Sequence, residues 1–239
     1  MEKLRLGATK LGLTLGPEQL EQFQIYYQEL VDWNRRVNLT SITHYEEVQI
    51  RHFVDSLTVI LGMKQPVGGG LCVIDVGTGA GLPGVPVKIA FPGIRLVLLE
   101  ATARKAEFLH HLISRLGLAD TEVVVGRAEE VAHQADYRER FALVLSRAVA
   151  RLPSLVEFSL PFCALGGRFI AQKKGEIDEE IKLAGKAISL LGGGLREVRR
   201  IDLPEFTDER YLVIIDKVTP SPQKYPRRPG IPAKRPIVG

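Results

Sequence analysis

With 239 residues, 45% hydrophobic and 25% charged, the chain has the make-up of an ordinary soluble globular protein and can bury a substantial core. It has no stretch near the roughly 20 apolar residues of a membrane span, and residues 1–15 hold no apolar run of export-signal length. Cys72 and Cys163 alone cannot supply a disulfide framework or zinc knuckle, so a reduced, cytoplasmic protein is expected.

From the N-terminus, Gly16-Pro17-Glu18 has the form of a helix start. Leu20, Phe23, Tyr27, Leu30, Trp33 and Val37 then recur at helical spacing, predicting one amphipathic helix to about Arg36. Thr43-His44-Tyr45-Glu46 fits a capping box, and Ile50, Phe53, Val54, Leu57 and Ile60 give the next helix its apolar face, with Gly62 closing it. These helices make a predicted N-terminal layer over 1–64, and Gln65 to Gly70 reads as a linker. From Leu71 short apolar runs alternate with amphipathic segments, the signature of βαβ units around a parallel sheet. Strands are expected near 72–76, 95–100, 121–125, 141–146 and 167–172, with helices near 84–91, 103–117, 128–135, 152–164 and 176–191. Two further strand-like runs, 196–202 and 211–218, have no helix between them, so the last strand should enter antiparallel. The expected fold is thus a doubly wound α/β domain over 65–219. Prolines 220, 222, 226, 229, 232 and 236 should keep the tail, 220–239, free of regular structure.

The net charge of +4 is concentrated in that tail. Residues 217–239 hold six cations, Lys217, Lys224, Arg227, Arg228, Lys234 and Arg235, and no acid, which leaves the first 216 residues at about −2. A cationic strip beside a near-neutral globule suits a polyanionic partner through counterion release, although a merely solvated tail has the same composition.

Residues 72–84, Cys72 to Gly84, form a buried strand running into a glycine-rich turn at a helix N-terminus. Such turns admit a ligand close to the backbone and offer it amides. Glu100, at the next strand end, is placed to accept the hydroxyls of a ribose. The segment Gly79-Ala80-Gly81-Leu82-Pro83-Gly84 also satisfies the GxGxxG dinucleotide fingerprint, with Glu100 lying 21 residues past Gly79. Against that reading, the first glycine after the strand is Gly77, Asp75 sits beside the pocket, and Pro83 and Pro86 interrupt the helix that would receive a pyrophosphate. The next strand ends carry Gly126-Arg127-Ala128-Glu129, placed to meet an adenine edge, and Ser146-Arg147-Ala148, whose arginine suits a carboxylate or phosphate. Lys173 and Lys174 end the fifth strand, where RNA phosphates are one partner and solvent the other. His44, His52, His110, His111 and His133 show no ligand spacing, and no metal is expected. His52 and Asp55 are candidates to face a substrate or to cap a helix. Cys163 falls on a predicted helix, away from the strand end that a carbon-methylating nucleophile would occupy.

In order and spacing, several segments together resemble the RsmG family, or glucose-inhibited division protein B, the 7-methylguanosine methyltransferases of bacterial 16S rRNA. They are Trp33-Asn34 with Asn38-Leu39-Thr40, Arg51 to Ser56, Asp75 to Gly84, Ser146-Arg147-Ala148, and Lys224-Tyr225-Pro226-Arg227-Arg228-Pro229-Gly230. The resemblance implies a class I methyltransferase fold binding S-adenosylmethionine at Asp75, Gly77, Gly79, Leu82, Glu100, Ala101, Thr102, Ala128, Glu129 and Arg147. It also implies a guanine N7 near the decoding region as target; by their charge, Lys173, Lys174, Lys224, Arg227, Arg228, Lys234 and Arg235 are expected toward RNA. Many relatives carry phenylalanine at the place of Leu82, and aspartate then serine at Glu100-Ala101. Guanine N7 has a lone pair and no proton, so orientation suffices and no general base is obligatory, with Arg147 the one catalytic candidate. The expected partner is 16S rRNA or the small ribosomal subunit, met by a monomer, without membrane or metal. Another RNA or protein substrate, or a nucleotide-sensing RNA-binding protein without catalysis, are the alternatives.

Overall fold

The computed structural model describes residues 1–64 and 69–239, so the expected linker lies largely outside the described residues. Helix α1 (Glu2–Lys10), absent from the expected elements, opens the chain and buries Leu4, Gly7 and Ala8. It packs on the second helical segment so closely that a Cβ at Gly7 would lie 2.6 Å from Val54 Cγ2. Helix α2 (Pro17–Asn34) starts where Pro17 pre-sets φ, and Gly16 N donates to Gln19 Oε1 at 2.9 Å. Its buried face is Phe23, Tyr26 and Leu30. Tyr26 replaces the expected Tyr27, which is half-buried edge-on against Tyr45.

The segment expected as one helix is four pieces: α3 (Tyr45–Val48), a π-helical stretch Gln49–Val54, α4 (Asp55–Leu57) and a 3₁₀ stretch Thr58–Gly62. The Thr43 capping box does not form; His44 is the N-cap and makes no side-chain cap bond. The wide turn buries Gln49, His52, Asp55 and Ser56 together with the apolar residues.

The sheet comprises β1 (Cys72–Val76), β2 (Arg95–Glu100), β3 (Thr121–Val125), β4 (Phe141–Arg147), β5 (Cys163–Lys174), β6 (Gly193–Arg200) and β7 (Arg210–Lys217). Their order is β3-β2-β1-β4-β5-β7-β6, with β7 antiparallel to both neighbours, as the helix-free connection requires. The central strands read as unbroken apolar runs because both faces are covered. Val73 joins the core beneath α1, α2, α5 (Gly84–Ala90) and α6 (Ala103–Leu116). Ile74 and Val76 face the core formed with α7 (Ala128–Val131), α8 (Leu152–Ser159) and α9 (Asp178–Leu190). Among the described residues no helix is long and apolar enough to cross a membrane.

Two boundaries differ from expectation for a shared reason. The helix read over 152–164 stops at Ser159, and β5 begins at Cys163, because Pro161 in the intervening 3₁₀ turn ends the helix and the chain re-enters the sheet at once. Cys163 therefore opens a strand at the end of the sheet opposite the glycine turn, and burial pushes its thiol up to about 12. The tail, expected to be irregular throughout, contains a single turn, α10 (Ile231–Lys234), with Pro232 inside its first turn.

Candidate functional site

All five parallel strands end at one side, and the turn after β1 lies at their carboxyl ends, where ligands of open α/β sheets bind. Gly77 has φ +71°, and a Cβ there would sit 2.7 Å from Val149 Cγ2. Glycine thus leaves a cradle that any side chain would fill. Asp75 shapes this turn from beneath. Its Oδ2 accepts Thr78 Oγ1 at 2.6 Å and Gly84 N at 2.8 Å. Burial pushes this carboxyl up to about 6. Asp75 has no exposed surface and does not line the crevice, which corrects its assignment as a cofactor contact: its Oδ2 takes both donors of the turn, and its buried Oδ1 has no partner among the described residues. That same bond occupies the first amide of α5, which a pyrophosphate would need.

Glu100 ends β2 with a carboxylate fixed by two amides, Gly79 N to Oε2 at 3.0 Å and Thr102 N to Oε1 at 2.9 Å. Each oxygen keeps lone pairs for further donors. A crevice of about 400 Å³ opens here, in the range of ligand pockets, lined by Gly77, Thr78, Gly79, Leu82, Glu100 and Ala101 on the sheet side. Leu39, Thr40 and His52 close it from the N-terminal layer, and Lys105, Arg147, Ala148 and Val149 complete it. Tyr26 reaches down from α2 to donate to Ala80 O at 2.5 Å, which pins the turn from above. His52 Nδ1 donates to Arg51 O at 3.1 Å and its Nε2 therefore accepts from Thr40 Oγ1 at 2.8 Å. Burial first, and the Arg147 charge next, lower this imidazole to about 3, so it is neutral at physiological pH.

Arg147 forms the partition between this crevice and a second cavity of about 340 Å³, lined also by Asp55, Arg151, Gln172, Lys174 and Glu179. Asp55, buried at the end of the π-helical stretch, is shared by two guanidinium groups. Arg147 Nη1 donates to its Oδ2 at 2.9 Å, and Arg210 Nη1 lies 2.5 Å from its Oδ1 in an ion pair. Ala148 follows at φ +56°, a conformation costly for a residue with a Cβ, at the wall that both cavities share. Sequence reasoning named Asp55 and missed Tyr26 and Arg210. Tyr26 lies on the apolar face of α2, and nothing in spacing ties Arg210 to a residue 155 positions earlier.

The remaining sequence candidates separate in space. Ala101 lines the crevice, and Thr102 contributes its amide to Glu100. Ala128 and Glu129 stand at the end of β3 and do not line the crevice; Glu129 Oε1 accepts Gly230 N from the tail at 3.0 Å. Lys173 is no free RNA contact. It is held within the fold by Ala150 O at 3.1 Å and Glu180 at 2.7 Å, because the strand end turns its side chain toward α9. Lys174 is exposed and pairs loosely with Asp208 at 3.6 Å. Arg227 is likewise corrected: its guanidinium grips the fully buried Glu157, with Nη2 to Oε2 at 2.6 Å and Nε to Oε1 at 2.9 Å. Lys224, Arg228, Lys234 and Arg235 are exposed. Among the described residues no cluster of three or more His, Cys, Asp or Glu is arranged to hold a metal.

Residues 19–205 match the model of the family described as rRNA small subunit methyltransferase G. The chain belongs to that family. It is 49% identical over 239 residues to the ribosomal RNA small subunit methyltransferase G of Dehalococcoides mccartyi, with all of both chains covered. Its namesake in Roseiflexus castenholzii is 46% identical, again covering 100% of both, and that of Pelotomaculum thermopropionicum 44%, covering 99% of this chain and 98% of the relative. Among solved structures, a geranyl diphosphate methyltransferase in complex with GPP and sinefungin shares the fold at TM-score 0.55 and 14% identity, covering 85% of this chain and 100% of that one. A precorrin-6y C5,15-methyltransferase from Geobacter metallireducens aligns at TM-score 0.52 and 16% identity over 69% of this chain and 88% of that one. The fold is that of class I methyltransferases, and the turn after β1 and the end of β4 meet across the crevice.

Proposed function

We propose that the protein transfers a methyl group from S-adenosylmethionine to guanine N7 of a guanosine in 16S rRNA near the decoding region. The observation that carries this reading is Glu100: a carboxylate oriented by two amides, beside a glycine cradle, with acceptor capacity left for a ribose. The residues fit such a cofactor, since the glycine turn gives the crevice open main chain and its one carboxylate, Glu100, would accept the sugar hydroxyls. When bound, S-adenosylmethionine supplies an electrophilic methyl on a sulfonium.

What the chain must do is hold and align. Gly77 admits the ligand to the backbone, Glu100 orients the sugar, and Arg147 with Ala148 sets the partition beside which the base is presented. The N7 lone pair needs no base to free it, so proximity and orientation carry the rate. A neutral His52 adds no positive charge to a crevice that takes a cation. In this reading residues 1–64 form a cover over the crevice, 65–219 hold the cofactor, and the segment 220–239 is an appendage to both. The exposed cations Lys174, Lys224, Arg228, Lys234 and Arg235 meet the phosphates of the RNA, and the protein works as a monomer in the cytoplasm.

The test is incubation with small-subunit rRNA lacking the modification and labelled S-adenosylmethionine. Label on N7 of one guanosine, with one S-adenosylhomocysteine released per methyl, is the expected result. Label on another atom or RNA, or binding without turnover, refutes the reading.

A further inference from the structure

We infer that the C-terminal segment 221–235 is a positioning element for the base of the nucleoside cofactor, clamping the loop after β3 so that its docking and cofactor binding strengthen each other. This rests on the cofactor reading above. Strand β3 is an edge strand, paired only with β2, and none of its five residues is buried. The helix after it, α7, has four residues. Neither neighbour fixes the loop firmly, and in the cofactor reading it is the loop beside which the base would come to lie. A ribose held on Glu100 at the end of β2 directs its base toward the end of β3, where Gly126 N donates to Glu100 O at 3.0 Å.

The tail supplies the missing hold. Gly230 N donates to Glu129 Oε1 at 3.0 Å, and His133 Nε2 donates to Pro226 O at 2.8 Å, since a carbonyl can only accept. Arg138 has no carboxylate partner among the described residues; its guanidinium donates to Ser221 O at 2.9 Å, Pro222 O at 3.2 Å, Tyr225 O at 2.9 Å and Ala132 O at 3.1 Å. It ties the loop to the tail through backbone alone. The far end is anchored on α8 by the Arg227 and Glu157 pair and by Ser154 Oγ donating to Pro232 O at 2.9 Å. Every contact between Glu129 and Arg138 on one side and the tail on the other would loosen if either part moved.

Coupling of this kind is reciprocal. Calorimetric titration of the full chain with S-adenosylhomocysteine should show Arg138→Met and Glu129→Ala binding several-fold to tenfold more weakly. Glu129→Gln, which keeps an acceptor for the Gly230 amide, should bind as the parent does. In the parent protein, saturation with the same ligand should slow amide exchange at Arg227 and Gly230 by a factor matching the affinity lost in Arg138→Met. Ligand binding with unchanged exchange at those amides, or undiminished affinity in Arg138→Met, overturns the inference while leaving the cofactor reading intact. A parent protein that does not bind the ligand overturns both.

Discussion

The two cavities on either side of Arg147 are built by different means. Over β1 and β2 the crevice is shaped by main chain: a glycine turn, amides on Glu100, and Asp75 buried beneath. Over β4 and β5 it is shaped by charge, with Asp55 shared by Arg147 and Arg210 and with Lys173 on Glu180. A wall of backbone is sensitive to added volume and indifferent to most charge changes. A wall of buried ion pairs is sensitive to the loss of one partner, because the other is left uncompensated. The first arrangement leaves room at the main chain, and the second fixes the orientation of the Arg147 guanidinium between the two cavities.

The sharpest break in this comparison is Gly77→Arg. It should abolish S-adenosylhomocysteine binding in calorimetry while leaving the far-ultraviolet circular dichroism unchanged, since the added atoms enter the cradle and no core contact is lost. Next is Asp55→Ala, which leaves Arg147 without a carboxylate and Arg210 with Asp208 alone, and should cost about 3–5 kcal/mol in urea unfolding; a loss below about 1 kcal/mol would mean the charged wall carries no stability.

Asp75 gives a graded test. Its native carboxyl is pushed up to about 6 by burial, so the folded state holds a proton that the unfolded state has released. Stability should then fall as pH rises from about 4 to about 6, by on the order of 3 kcal/mol. Asp75→Asn, whose oxygen still accepts from the turn, should flatten that slope; an unchanged slope would exclude Asp75 as its source. The smallest effect is expected at the surface. Neutralising Lys224, Arg228, Lys234 and Arg235 should lower the salt dependence of RNA binding by roughly 0.7–0.9 per lost phosphate contact. Deleting 220–239 would blur this measurement, because it also leaves the buried Glu157 without Arg227.

The glycine turn and the carboxylate partnering it were legible because they are local. A strand, a turn and the next strand end lie within 30 residues, and parallel pairing of β1 with β2 fixes their approach. The antiparallel last strand was legible too, from the missing helix. The tail was misread at Arg227 and the fifth strand end at Lys173 for one reason: a cation in sequence looks the same whether solvent or a buried carboxylate receives it. The second helix was misread because apolar spacing tolerates a wider turn, and only the packing of Asp55 against Arg147 and Arg210 shows where the extra residue goes.

Sequence by itself determined the alternation of strands and helices, and with it the sheet, the cofactor turn and the family to which the segments belong. Those properties follow from periodicity and near neighbours, where chain connectivity limits the geometry to a few choices. Tertiary structure alone decided which charges are free. Asp55 meets Arg210 across 155 residues and Glu157 meets Arg227 across 70, pairings set by how helices and strands stack, on which no local pattern bears.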